Sequence, residues 1–132
     1  LDGRKLGEEI DKLDKFEMEK GSIIIIIGTN IPLSERQLKR VSKRAAIGLG
    51  RTGSYLGNGS GDIAISFTTA NKVKHYEESD VMDIKMVHEN KIDFVFRAVV
   101  ESVEESVVSS MLHAKTTVGR DNNERKSLTD YL

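Results

Sequence analysis

The sequence has 132 residues, of which 38% are hydrophobic and 31% charged. That is enough for one domain with a core, and it excludes global disorder. A formal net charge of −1 and the absence of cysteine give no global attraction to nucleic acid or anionic membrane, exclude disulfides and thiolate chemistry, and fit a cytoplasmic protein.

The N-terminus, "LDGRKLGEEI", lacks the apolar h-region of a signal peptide and an initiator Met, so it reads as part of a longer chain. Asp2-Gly3 is a turn signal, and a short hairpin is expected over residues 1–10. Residues 11–20, "DKLDKFEMEK", are crowded with charge and read as an exposed connector. Ser22 to Thr29 contains five consecutive isoleucines, Ile23 to Ile27. A continuous rather than alternating apolar run predicts a strand buried on both faces. No apolar run approaches the ~18 residues that a membrane span needs.

Pro32 then precedes a helix that Ser34 and Gln37 open as a capping box. Leu38, Val41, Ala45 and Leu49 recur at helical spacing on its core face, while Arg36, Lys39, Arg40, Lys43 and Arg44 cover much of the rest. Residues 48–62, "GLGRTGSYLGNGSGD", hold six of the eleven glycines and read as a loop of tight turns or close approach. Ile63, Ile65 and Phe67 alternate as a half-buried strand. Residues 71–90 form a long polar connection. Ile92, Val95, Phe96, Val99, Val103, Val107 and Met111 lie on one face of a second, longer helix. A turn at Gly119 to Asn123 and a last helical turn end the chain. Strand, helix, strand and long helix make only part of a layered α/β domain. The doubly buried strand needs more cover than these elements supply.

Several motifs bear on function. "GLGRTG", Gly48 to Gly53, matches the dinucleotide fingerprint in letters. A helix precedes it and a loop follows, the reverse of the strand–turn–helix context that places phosphate at a helix N-terminus. The basic helix face has no interleaved aromatic residues, so base stacking is unsupported; it reads as a solvated face opposite the acidic surplus of residues 77–105. His75, His88 and His113 are scattered and show no metal-ligand spacing. In "NGSGD", Ser60 and Asp62 are two apart with glycine on either side of Ser60. On an extended backbone their side chains point one way, and a carboxylate bonded to a hydroxyl can orient a neighbouring nucleophile. Judged alone, this is also an ordinary turn before a strand.

Gly21-Ser22 is likewise a common turn dipeptide. Its chemistry has a second reading. A serine hydroxyl can attack the preceding carbonyl, shift the acyl group from nitrogen to oxygen, and release a chain beginning at Ser22. Such a chain carries a hydroxyl beside an α-amine of pKa roughly 7.7–8.0, able to act as its own general base.

Together, "GSIIIIIGTNIPLSERQLKRVSKRAAIGLGRTGSYLGNGSGDIAISFTTAN" and "TTVGRDN" resemble the small subunit of the L-aminopeptidase/D-esterase family, which includes D-aminopeptidases and β-peptidyl aminopeptidases. "LDGRKLGEEI" resembles the end of that family's large subunit. The resemblance implies that residues 1–21 end a large-subunit region and linker, and that residues 22–132 are the nucleophile-bearing small subunit. It implies a precursor cut at Gly21-Ser22, Ser22 as N-terminal nucleophile for amide, peptide or ester hydrolysis, and Ser60 and Asp62 hydrogen-bonded around it. The implied fold is part of a four-layer α/β/β/α sandwich like that of N-terminal nucleophile hydrolases. No metal or organic cofactor is implied.

The implied partners are the large subunit, which supplies an oxyanion-hole asparagine and a tyrosine, a short peptide or amino-acid amide substrate, and further copies in a homo-oligomer. Nucleic acid and membrane are not among them. Alternative readings are a self-cleaving acyltransferase of the ornithine acetyltransferase type, whose typical threonine nucleophile Ser22 argues against, and a non-enzymatic assembly module.

Overall fold

A computed structural model describes residues 3, 5–11, 21–76 and 78–132. Strand β1, Ile24–Thr29, is followed by helix α2, Glu35–Arg51, and strand β2, Ile63–Thr68; a short helix α1, Leu6–Asp11, precedes them. Helix α3, Asp93–His113, and a small antiparallel hairpin of β3, Thr117–Val118, and β4, Glu124–Arg125, complete the order.

Where a hairpin was expected over residues 1–10, the described residues, Gly3 and 5–10, form a turn and most of helix α1. Gly3 takes a positive φ of 78°, and the N–H groups of Glu8 and Glu9 donate to the Lys5 carbonyl. Glu8 and Glu9 in the first turn also suit the positive end of the helix dipole. The expected connector over residues 11–20 lies outside the described residues except for Asp11, which ends α1.

Helix α2 opens as its sequence requires. Ser34 Oγ accepts from the Gln37 N–H at 3.3 Å, and Gln37 Oε1 accepts from the Ser34 N–H at 3.2 Å. The helix runs to Arg51, so the glycine-rich loop begins later than its composition suggests. Gly48 belongs to the helix because α3 packs there. A Cβ at Gly48 would lie 2.6 Å from the Val100 carbonyl oxygen and 2.8 Å from Val103 Cβ. Glycine is selected here for close helix–helix approach, not for a turn.

Strands β1 and β2 pair in parallel, Ile24 opposite Ile63 through Thr29 opposite Thr68, with α2 as the crossover between them. Helices α2 and α3 cover one face of this pair. Val41, Ala45, Ile92, Val95, Phe96, Val99 and Val103 form the core, and Ile25, Ile27 and Ala64 pack onto it from the sheet. The α3 seam stops at Val107, and Met111 is exposed.

Burial alternates along both strands, which corrects the expectation of a doubly buried β1 and leaves β2 half-buried as expected, with its large apolar residues on the open face. The isoleucine run is covered on one face only among the described residues. Ile24 and Ile26, 67% and 69% exposed, share the open face with Ile63, Ile65 and Phe67. The register fixes this, because it sets Ile24 beside Ile63 and Ile26 beside Ile65. The helix-facing side of β2 carries small residues instead. Ser66 Oγ donates to the Leu38 carbonyl at 2.7 Å, tying α2 to the sheet.

The basic face of α2 meets acids of its own chain. Arg36 and Arg40 both pair with Glu89, and Arg51 pairs with Glu104 at 3.0 Å. The Arg44 guanidinium sits 3.9 Å above the Phe96 ring centre, a cation–π contact. Among the described residues, no helix is long and apolar enough to cross a membrane.

Candidate active site

Parallel pairing brings the N-terminal ends of β1 and β2 to one end of the sheet, and with them the two segments singled out by their chemistry. The Ile63 N–H donates to the Ile23 carbonyl at 2.9 Å. Carried back two residues, the same register sets Ser22 against Gly61. The Gly61 N–H donates to Ser22 Oγ at 3.1 Å. Beside it, Ser60 Oγ donates to Asp62 Oδ1 at 2.7 Å.

The turn that delivers these groups is tight, with the Ser60 N–H donating to the Gly57 carbonyl at 2.9 Å. Gly61 is small for a reason: a Cβ there would lie 3.3 Å from Ser22 Oγ, closer than most real Cβ contacts. Upstream in the same loop, Leu56 takes a φ of 52°, a left-handed conformation that a branched residue adopts only when its surroundings hold it.

Ser22 and Gly21 are exposed, whereas Ser60 and Asp62 are half-buried. Chemically the arrangement is an accessible hydroxyl whose oxygen already accepts a backbone N–H. That bond favours negative charge on the oxygen and leaves the hydroxyl proton to be taken by another group. The adjacent hydroxyl–carboxylate pair is held by its own short bond and by the turn, so its direction is set before any reaction.

Gly61, between Ser60 and Asp62 in the chain, thus sets Ser22 beside their hydroxyl–carboxylate pair, and Gly21 stands at the exposed entry to β1. Gly61 was missed as a contributor, although glycine on both sides of Ser60 was its signal. Leu56 had no sequence signal. Gly48 and Gly50 of the dinucleotide-like motif lie inside α2, so no phosphate cradle forms at a helix N-terminus. Among the described residues, no cluster of His, Asp and Glu is placed to hold a metal ion.

The model of peptidase family S58 matches residues 1–125. The chain belongs to that family. It is 37% identical over 99 residues to a β-peptidyl aminopeptidase of Sphingosinicella microcystinivorans, covering 75% of this chain and 25% of the relative. Among solved structures it is similar to the PH0078 protein from Pyrococcus horikoshii, with 53% identity and a TM-score of 0.78 over 81% of this chain and 30% of that one. It is also similar to the L-aminopeptidase D-Ala-esterase/amidase of Ochrobactrum anthropi, a serine aminopeptidase described as a new variant among the Ntn hydrolase fold. There the identity is 40% and the TM-score 0.75, again over 81% of this chain and 30% of that one. This S58 chain thus carries part of an α/β Ntn-hydrolase fold, and it spans between a quarter and a third of the length of these relatives.

Proposed function

We propose that this S58 chain is the nucleophile-bearing portion of a self-processing serine aminopeptidase or amidase, with residues 1–21 ending the preceding portion and residues 22–132 forming the small subunit. Ser22 Oγ attacks the Gly21 carbonyl carbon. The Gly21–Ser22 C–N bond breaks, the hydroxyl proton passes to the Ser22 nitrogen, and an ester joins the two parts. Water hydrolyses the ester, leaving a Gly21 carboxylate and a free Ser22 with its hydroxyl and α-amine.

In the mature form the same oxygen attacks the carbonyl of an N-terminal amino-acid amide, peptide or ester. The α-amine, with a pKa of roughly 7.7–8.0, takes the hydroxyl proton and returns it to the leaving group. Ser60 and Asp62 position that exchange. The remaining length of the precursor supplies further substrate contacts and the oxyanion donors.

The observation that carries this reading is the bond from the Gly61 N–H to Ser22 Oγ, 3.1 Å long, set beside the Ser60–Asp62 pair. An ordinary turn serine has no need of a glycine opposite its oxygen. The test is hydrolysis of amino-acid amides by the full-length protein. Ser22→Ala is expected to abolish turnover, and Asp62→Asn to lower kcat about 100-fold, the scale of lost proton-transfer assistance. Wild-type turnover in Ser22→Ala would contradict the reading.

A further inference from the structure

Residues 81–88 carry no helix, turn or bend, and two of their odd-numbered members are tied to the body of the protein. The Lys85 N–H donates to Asn71 Oδ1 at 3.1 Å, and Asn71 Nδ2 donates to the Lys85 carbonyl at 2.8 Å. The Val87 N–H donates to the Pro32 carbonyl at 2.9 Å, and Gln37 Nε2 donates to the Val87 carbonyl at 2.7 Å. Alternation along an extended backbone then turns the N–H and C=O groups of Met82, Ile84 and Met86 away from the body. Among the described residues, none of those groups has a backbone partner.

Their side chains are open as well: Met82, Ile84 and Met86 are 47%, 59% and 50% exposed. Large apolar residues beside unpaired backbone make an edge that can accept another strand. Asp83 and Lys85 alternate with them and are exposed too. Neither charge has an ion-pair partner among the described residues.

The order Met82-Asp83-Ile84-Lys85-Met86 is complementary to its own reverse. Set antiparallel about Ile84, two copies place Ile84 on Ile84, Met82 on Met86 and Asp83 on Lys85, the last two pairs twice by symmetry. The residues that exchange backbone bonds are then the even-numbered ones, whose groups the body leaves free. The charges meet on one face, and the methionines and isoleucines on the other. Sliding one copy by two residues sets Asp83 against Asp83 or Lys85 against Lys85. Sliding it by one turns the apolar residues to the wrong face. The charge pattern thus specifies both the occupant and its register.

We propose that residues 82–86 pair antiparallel with the same residues of a second copy, about a two-fold axis at Ile84, as an isologous interface between protomers. The segment is anchored to Pro32 and Asn71, which follow the C-terminal ends of β1 and β2, whereas Ser22 and Gly61 precede their N-terminal ends. The assignment is therefore independent of the chemistry proposed at Ser22.

Light scattering on a dilution series of the full-length protein reads the association, and the wild type is expected to self-associate. Asp83→Lys and Lys85→Asp each set like charges opposite one another twice, and each is expected to raise the dissociation constant at least about tenfold. Asp83→Lys combined with Lys85→Asp restores both pairs and is expected to return to the wild-type value. Cross-linking reads the register. Facing residues of a hydrogen-bonded antiparallel pair have Cα atoms about 5.5 Å apart, within disulfide reach. Mild oxidation is therefore expected to link Ile84→Cys to itself and to leave Met82→Cys, which faces Met86, unlinked. A wild type that stays monomeric at every concentration would overturn the inference. So would single charge variants that associate like wild type, or a double variant as weak as the singles, which would assign the segment to some other occupant. Linking of Met82→Cys in preference to Ile84→Cys would overturn it too.

Discussion

The amide of Gly61 donates to Ser22 Oγ at 3.1 Å, across 39 residues of chain. The contact is made by two parallel strands that begin side by side, and a side chain at Gly61 would crowd it. A Cβ there would stand 3.3 Å from the same oxygen.

Gly61→Ala should therefore move the serine oxygen by a few tenths of an ångström without straining the backbone, since Gly61 is not among the positive-φ residues. Misplacement of a reacting atom by about 1 Å can cost roughly a hundredfold, so a loss near tenfold in kcat is expected, with the thermal midpoint unchanged. Kinetics and a melting curve on the same preparation check it. Full activity in Gly61→Ala would mean that the amide–serine contact has no part in the chemistry.

Much of this geometry was legible in the sequence because it depends on local chemistry. Ser34 and Gln37 announced their helix start and the valines of α3 announced its core face, whereas Gly-Ser and Gly-Ser-Gly-Asp read alone as ordinary turns and drew attention only through the family resemblance they carry together. What escaped were consequences of pairing. Which isoleucines face out follows from the register of Ile24 with Ile63, and no single strand contains that information. Gly48 looked like loop material because its role, close approach to Val100 and Val103, is set by a helix about fifty residues later in the chain.

Gly48→Ala tests that packing. The clash is with a backbone carbonyl at 2.6 Å, which cannot rotate away, so overpacking should cost about 3 kcal/mol. Alanine regains about 1 kcal/mol of helix propensity. A net loss of about 2 kcal/mol is expected in chemical denaturation, whereas a stabilised variant would mean that α2 and α3 separate readily at this point.

Glu89 provides a pH-dependent contribution away from the site. Desolvation alone would raise its pKa, but hydrogen bonds from Gln37 and Arg40, with the charges of Arg36 and Arg40, together hold it below its ordinary value of 4.5. A depressed folded-state pKa stabilises above the unfolded value and is lost as pH falls through the folded one. The advantage in thermal midpoint of wild type over Glu89→Gln should therefore be constant at neutral pH and shrink below about pH 4. An advantage that persists unchanged into strong acid would show that the carboxylate's charge is not its source.

The central claim is that Ser22 becomes an N-terminal nucleophile by cleavage of its own peptide bond. Intact-mass spectrometry of the full-length protein, wild type against Ser22→Ala, tests it most directly. The account predicts two wild-type species, one ending at Gly21 and one beginning at Ser22, and a single uncut Ser22→Ala chain. A wild-type protein that stays in one piece and still hydrolyses amino-acid amides would contradict it.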